Sequence, residues 1–121
     1  MKARCHCGAV VLEVTLLDGL KTATRCDCSF CSRRGAAAVV SVPMGELTIL
    51  KGAENLSLYQ WGTKTAKHYF CKTCGIYTHH QRRSDPNEFG VNLGNLDGVS
   101  VRELRDIPWV DGINRPSDQN S

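Results

Sequence analysis

Seven cysteines in three short groups are the residues of this chain best suited to bind a metal ion. The groups are Cys5-x-Cys7, Cys26-x-Cys28-x-x-Cys31 and Cys71-x-x-Cys74. A Cys-x-x-Cys pair on a turn lets two sulfurs reach one ion at about 2.3 Å, as tetrahedral zinc requires. The odd number of cysteines excludes a fully paired disulfide framework within one chain. We therefore predict that these thiols bind zinc.

Two other interpretations of the cysteines account for the pattern less well. Buried thiols can act as small apolar residues, but random burial does not gather every cysteine of a chain into such groups. A thioredoxin-type redox pair lies near a βαβ pattern, and no such pattern surrounds either Cys-x-x-Cys pair. Redox catalysis also needs a cysteine free of metal, and two filled zinc sites would leave none.

Seven ligands divide naturally into a set of four and a set of three. Four thiolates close a tetrahedral site, which is typical of structural zinc, whereas three leave a position open to water or substrate. The local triplet can bind one ion by itself, and the two remaining pairs would then join the N-terminus to the later strands. The triplet consists of Cys26, Cys28 and Cys31, and the pairs are Cys5/Cys7 and Cys71/Cys74.

Spacing alone leaves this partition open. A zinc-ribbon arrangement would instead combine Cys28 and Cys31 with Cys71 and Cys74. A histidine could also complete the triplet, although each histidine also fits a surface or strand position. The four candidates are His6, His68, His79 and His80.

The elements that must position these ligands are short β-strands. Segments of β-branched or alternating residues between turn residues predict strands at 9–16, 36–42, 47–50, 56–61, 67–70, 76–80 and 89–93. Residues 99–104 fit a short helix or a strand. Strands separated by turns at intervals of about 8–12 residues predict an all-β domain. Tyr59 and Trp61 lie on one alternating strand, so we expect both to pack in the core.

Length, composition and charge narrow the class of protein. The chain of 121 residues suffices for one domain, and only 41% of them are apolar, so we expect something besides burial to stabilise the fold. The formal net charge of +3 would be cancelled if all seven cysteines bound two Zn²⁺ as thiolates. The closest basic clusters are only pairs, Arg33-Arg34 and Arg82-Arg83, which do not make an electrostatic platform for nucleic acid.

The distribution of apolar residues argues against export and membrane insertion. The segment Met1 to Gly8 has no apolar stretch after its positive charges, so we expect no secretory signal. The longest small or apolar run, 35–40, is far shorter than the roughly 20 residues that cross a bilayer. We predict a soluble, cytoplasmic protein in a reducing compartment. The polar segment 112–121 is expected to be a loose tail.

Three motifs resemble those of one known family. They are Cys-His-Cys-Gly-Ala-Val at 5–10, Cys-Asp-Cys-Ser-Phe-Cys at 26–31 and Lys-His-Tyr-Phe-Cys-Lys-Thr-Cys-Gly at 67–75, and the segment 90–97 is similar as well. The chain resembles the glutathione-dependent formaldehyde-activating enzymes, whose domain is shared with centromere protein V. The resemblance covers roughly residues 2–111. It implies a single zinc domain with a β-rich fold, the β-tent.

The resemblance also implies which thiols share an ion and what reaction they serve. It assigns one closed, structural zinc and a second zinc with a free position. The family name implies the addition of glutathione to formaldehyde, giving S-hydroxymethylglutathione, which is a carbon–sulfur lyase activity in the reverse direction. The structural ligands would be Cys5, Cys7, Cys71 and Cys74, and those of the second zinc Cys26, Cys28 and Cys31.

The chemistry of an open three-thiolate zinc fits this activity. Its natural fourth ligand is a soft thiolate, so the thiol of glutathione could bind there and formaldehyde could add to its sulfur. Glutathione carries two carboxylates, and we predict that Arg33 and Arg34, directly after the triplet, bind them through forked hydrogen bonds. The alternative is a non-catalytic zinc-binding module whose second zinc is structural or mediates an interaction.

Overall fold

Ten short strands form three sheets in the computed structural model, which describes residues 1–103 and 105–113. A short helix, α1 (Ser29–Arg33), follows the third strand. Single turns of 3-10 helix lie at Met44–Glu46, Ala53–Asn55, Leu93–Asn95 and Val101–Glu103. The fold of the described residues is therefore mainly β, as the sequence predicts. The strands are β1 (Lys2–Arg4), β2 (Val11–Val14), β3 (Arg25–Cys26), β4 (Val39–Pro43), β5 (Leu47–Lys51), β6 (Leu56–Tyr59), β7 (Lys67–Cys71), β8 (Tyr77–Gln81), β9 (Glu88–Asn92) and β10 (Trp109–Val110).

The largest sheet has five antiparallel strands in the order β4-β9-β8-β7-β6. Strands β6 to β9 are neighbours both in sequence and in the sheet, which is the usual result of short connections. Strand β4 joins the sheet by pairing with β9, where Val40 lies opposite Val91. The turn between β7 and β8 begins at Cys71, so this sheet positions one cysteine pair at the end of β7.

The second sheet, β1-β2-β5, contributes to the same core as the first. Strand β2 buries alternate residues, Leu12 and Val14, because successive side chains of a strand point to opposite faces. Full burial of such a side chain contributes about 1.5–3 kcal/mol. The fully buried aliphatic residues of this shared core are Val10, Leu12, Val14, Val40, Val42, Val91 and Leu93.

The third sheet is the parallel pair of β3 and β10, which joins distant parts of the chain. Arg25 pairs with Trp109, and Cys26 pairs with Val110. Because β3 leads within a few residues into α1, this small sheet places the C-terminal part of the described chain beside the triplet of cysteines.

All seven predicted strands are present with one or both bounds shifted by one to three residues, and residues 101–103 form a turn of 3-10 helix. Strands β1, β3 and β10 and helix α1 were not predicted, because two to five residues are too few to show a period. The prediction that Tyr59 packs in the core is wrong. Its side chain is 46% exposed and its ring stacks on Phe30 at 5.3 Å. Trp61 is partly buried, in the wall of a cavity rather than in the core.

The predicted boundary at residue 111 stays a prediction. Gly112 is buried and Ile113 is exposed, whereas the rest of the predicted tail, 114–121, lies outside the described residues. Within the described part of the chain, no helix has the length and apolar character needed to span a membrane.

Candidate metal centres

Four of the cysteines bring their sulfurs together where the two larger sheets meet. The Sγ atoms of the group all lie within 4.8 Å of one another. The Sγ of Cys7 is 3.7 Å from that of Cys5 and 3.7 Å from that of Cys71. Cys5 follows β1 and Cys71 ends β7, so an ion held here would tie the N-terminal strand to the five-stranded sheet. The members of this four-cysteine cluster are Cys5, Cys7, Cys71 and Cys74.

Tight glycine turns and nearby hydrogen-bond donors favour negative charge on the sulfurs of this cluster. Gly8 and Gly75 adopt positive φ values of 79° and 76°, which glycine reaches without steric cost and which let the chain turn tightly after each pair. The backbone N–H of Val10 donates to the Cys5 Sγ at 3.3 Å. The side-chain amide of Asn55 donates to the Cys71 Sγ at 3.3 Å. Such donors stabilise thiolate ligands.

The other three cysteines form a second cluster at the start of α1. Cys26 lies on β3, Cys28 is the N-cap of the helix and Cys31 lies within it, with all three Sγ atoms within 4.8 Å. The N–H of Cys31 donates to the Cys28 Sγ at 3.3 Å, and that of Cys28 to the Cys26 Sγ at 3.5 Å. The sulfurs are thus grouped as four and three, and the zinc-ribbon combination is not observed.

The chemistry of this three-cysteine cluster favours a bound cation. Hydrogen bonds from Cys26 and Cys31 lower the pKa of Cys28, and the reciprocal bonds raise the pKa values of Cys26 and Cys31. Three thiolates this close together would repel one another strongly. A divalent cation permits all three to ionise. The donor set is soft, so it suits a thiophilic metal ion.

The three-cysteine cluster opens on a cavity of about 260 Å³, which we call the thiol cavity. Its polar walls carry three arginines, and none of the described residues lining it is acidic. Aromatic and aliphatic side chains form the remaining walls. The lining residues are Thr24, Cys26, Cys28, Phe30, Cys31, Arg34, Ala37, Val39, Trp61, Ala66, His68, His80, Arg82, Arg83, Ser84 and Val110.

The two arginines predicted to bind substrate are placed differently. Arg33 is exposed and is not among the residues that line the thiol cavity. Arg34 is half-buried in the wall of that cavity, with its guanidinium carbon 3.8 Å from the centre of the Tyr77 ring and 4.7 Å from that of Phe30. Its Nη2 donates to the Cys31 Sγ at 3.5 Å. Of these two arginines, only Arg34 therefore lies beside the cluster.

The four histidines also separate into different environments, and neither described metal-ligand group contains one. His6 is exposed, beside the four-cysteine cluster. His68 and His80 line the thiol cavity. His79 is buried and lines a different cavity, where it stacks on Tyr69 at 4.7 Å. Burial lowers the pKa values of His68 and His79 to about 4, so both are neutral near pH 7.

Gly112, near the end of the described chain, packs against the three-cysteine cluster, and nothing in the sequence pointed to this contact. The N–H of Gly112 donates to Oδ1 of Asp27 at 2.8 Å. A Cβ atom at Gly112 would lie 2.7 Å from the Cys26 Sγ and 2.7 Å from the Cys28 Cβ. Glycine is therefore the only residue that fits against the sulfurs here without displacing them.

Comparison with known proteins agrees with the family resemblance of the three cysteine motifs. The family model described as glutathione-dependent formaldehyde-activating enzyme matches residues 1–108. A Penicillium rubens protein, provisionally named a glutathione-dependent formaldehyde-activating enzyme, is 32% identical over 99 residues, covering 79% of this chain and 51% of that protein. The chain thus spans about half the length of this curated relative. The crystal structure of a Rhodobacter sphaeroides protein is 60% identical, with a TM-score of 0.88 over 91% of this chain and 100% of that one.

Proposed function

We propose that this chain, which belongs to the family of glutathione-dependent formaldehyde-activating enzymes, adds a thiol such as glutathione to formaldehyde or a related small aldehyde, or catalyses the reverse. The forward reaction forms a carbon–sulfur bond and the reverse is a lyase reaction. The observation that carries the proposal is the three-cysteine cluster opening on a cavity that also holds the Arg34 cation. The proposed catalytic unit is one zinc-binding domain that spans residues 2–111.

Both clusters fit zinc, and we propose two zinc ions per chain. Tetrahedral zinc with Zn–S bonds of about 2.3 Å separates its sulfurs by about 3.8 Å. The Cys5–Cys7 and Cys7–Cys71 Sγ pairs are both 3.7 Å apart. The four-cysteine cluster would be a closed structural site, whereas Cys26, Cys28 and Cys31 would leave one position for a ligand from the cavity.

Binding of the thiol is the role assigned to the three-cysteine cluster. A zinc ion bound there would supply an open position for the sulfur of the thiol and would lower the pKa of its S–H, so that a neighbouring base can remove the proton. The aromatic faces of Phe30 and Trp61 and the side chain of Val110 line the same cavity and reduce the access of water. Orientation of the sulfur toward the aldehyde then comes from the walls of the cavity.

Recognition of the carboxylates of glutathione is the role assigned to Arg34. Its Nε is buried and has no hydrogen-bond partner among the described residues, and Phe30 and Tyr77 hold the guanidinium in place. The guanidinium of Arg82 also lines the cavity, but its charge is balanced by Glu88 at 2.8 Å. Arg34 is therefore the cation better suited to pair with an incoming carboxylate.

An adjoining cavity gives room for a ligand of peptide size. Its volume is about 300 Å³, and it shares Phe30, Arg34 and His68 with the thiol cavity. A tripeptide whose sulfur lies at the cluster could extend past these residues, so that a terminal carboxylate would pair with Arg34.

The direct test of this function is the rate of exchange between formaldehyde and glutathione. ¹³C-labelled formaldehyde is mixed with glutathione, and exchange NMR measures interconversion of hydrated formaldehyde and the adduct with and without zinc-loaded protein. We expect the exchange rate to rise in proportion to the protein concentration. An unchanged rate with zinc present and glutathione bound would contradict the proposal and favour the non-catalytic module.

Replacement of Arg34 by glutamine is expected to weaken glutathione binding by at least about 10-fold. The physical reason is loss of a charged hydrogen bond in a partly buried site, worth about 1.5–3 kcal/mol. Calorimetric titration of zinc-loaded protein gives the Kd. Arg33→Gln is the matched control, since it removes the same charge one residue away on an exposed side chain. Equal losses in the two variants would show that Arg34 makes no specific contact.

A further inference from the structure

His68 has a buried nitrogen that nothing in the described structure uses. The residue is 7% exposed, and its Nδ1 has no hydrogen-bond partner among the described residues. A buried polar atom without a partner costs free energy, so such atoms commonly mark a place where a ligand or water binds. Arg34 Nε and Trp61 Nε1, which belong to the same cavity wall, are unpartnered as well. Three polar groups of one wall therefore lack partners.

The surroundings of His68 fix its ring. It packs against Phe30 with ring centres 4.3 Å apart, and it stacks on His80, its partner across β7 and β8, at 5.2 Å. Nδ1 of His80 is hydrogen-bonded to the Tyr77 hydroxyl, which donates to the Gly90 carbonyl at 3.3 Å.

Gly90 provides the space that this arrangement needs. A Cβ atom there would lie 2.4 Å from Cε1 of His80, so a larger residue would push the ring toward His68. The two imidazoles, the hydroxyl and the glycine thus hold one ordered face of the thiol cavity. His68 lies on that face as a neutral, rigid imidazole with an unpartnered nitrogen.

We infer that His68 is a catalytic residue that carries the proton from the attacking thiol to the aldehyde oxygen. The inference rests on the proposed function and names a residue for the same cavity. The proton leaves the sulfur for a ring nitrogen of His68 as the sulfur electron pair forms the bond to the carbonyl carbon. The π electrons of the carbonyl move to its oxygen, which takes the proton back from His68. The thiol and the aldehyde give one hemithioacetal, and no further reactant is needed.

The neutral state of His68 leaves a ring nitrogen free to accept this proton. Burial lowers its pKa to about 4, with the charge of Arg34 acting in the same direction, so near pH 7 the ring has a free lone pair. The imidazolium that forms is short-lived, because its buried site favours return of the proton. General acid–base groups of this kind contribute typically about 10²–10⁴-fold to a rate.

The test compares His68→Gln and His68→Ala with the matched variants His79→Gln and His79→Ala. His79 is a second buried, neutral histidine of the same sheet that lines a different cavity. The exchange NMR rate is measured at equal zinc content and saturating glutathione. We expect both His68 variants to lose about 100-fold in catalysed rate, with the Kd for glutathione changed by less than about threefold. The His79 variants should keep the rate of the wild type.

Chemical rescue separates proton transfer from a structural role. Added imidazole should restore part of the rate of His68→Ala, whose cavity has room for it, and should leave that of His79→Ala unchanged. A rate within twofold of wild type in His68→Gln, or no rescue of His68→Ala, would overturn the inference. A wild-type protein that gives no acceleration would instead count against the proposed function itself.

Discussion

Cys71→Ser is expected to leave the protein largely unfolded at room temperature. The side chain is fully buried, and its sulfur lies 3.7 Å from that of Cys7, 64 positions earlier in the chain. A metal ion in the four-cysteine cluster would therefore tether two sheets across a long loop. Structural zinc can supply on the order of 10 kcal/mol of folding free energy. A domain typically has only about 5–15 kcal/mol in total.

Thermal unfolding followed by circular dichroism measures this effect, and zinc content measured on the same samples reports loss of the ion. Serine is close to cysteine in size, so a large effect cannot come from packing alone. A melting temperature within a few degrees of wild type would show that the four-cysteine cluster is not a structural site.

Cys26→Ser is expected to abolish catalysed exchange, with a loss of at least about 100-fold, while the fold persists. Cys26, Cys28 and Cys31 are close in sequence, so an ion among them closes almost no loop and contributes little to the stability of the chain. Loss of one of three sulfurs would remove the open three-thiolate site to which we propose that the thiol binds. The measurements are the exchange NMR rate, the Kd for glutathione and the melting temperature.

The two cysteine variants are controls for each other. We expect Cys71→Ser to lose far more stability than Cys26→Ser, and Cys26→Ser to lose activity while it remains folded. If Cys26→Ser unfolds the protein and Cys71→Ser leaves it intact, the structural and open sites are assigned the wrong way round.

The sequence was sufficient to predict the longer strands and the short cysteine groups, because both depend on local residue patterns. Alternation of apolar and polar residues in 56–61 predicted a strand, and β6 (Leu56–Tyr59) is present there, although neither of its faces is fully buried. The grouping of the cysteines follows from short spacing, which limits which sulfurs can meet. The choice between the observed partition and the zinc ribbon needed the position of β1 beside the end of β7, a long-range feature.

Other features of the site depend on contacts between residues far apart in sequence. Arg33 and Arg34 are adjacent residues of the same type, so the sequence does not distinguish them. Only the packing of Arg34 against Tyr77 and Phe30 does so. The contact of Gly112 with Asp27 joins positions 85 residues apart and has no motif. Tyr59 was assigned to the core because its strand alternates, yet β6 is an edge strand, and both Tyr59 and Leu58 are exposed there.

The number and coordination of zinc ions in protein purified without chelators test directly whether the chain holds one closed and one open zinc site. Elemental analysis combined with zinc X-ray absorption is predicted to give two ions per chain. One should have four sulfur ligands, and the other three protein sulfurs plus one ligand that exchanges when glutathione is added. One ion per chain, or a fourth protein side chain on the ion held by Cys26, Cys28 and Cys31, would contradict the account.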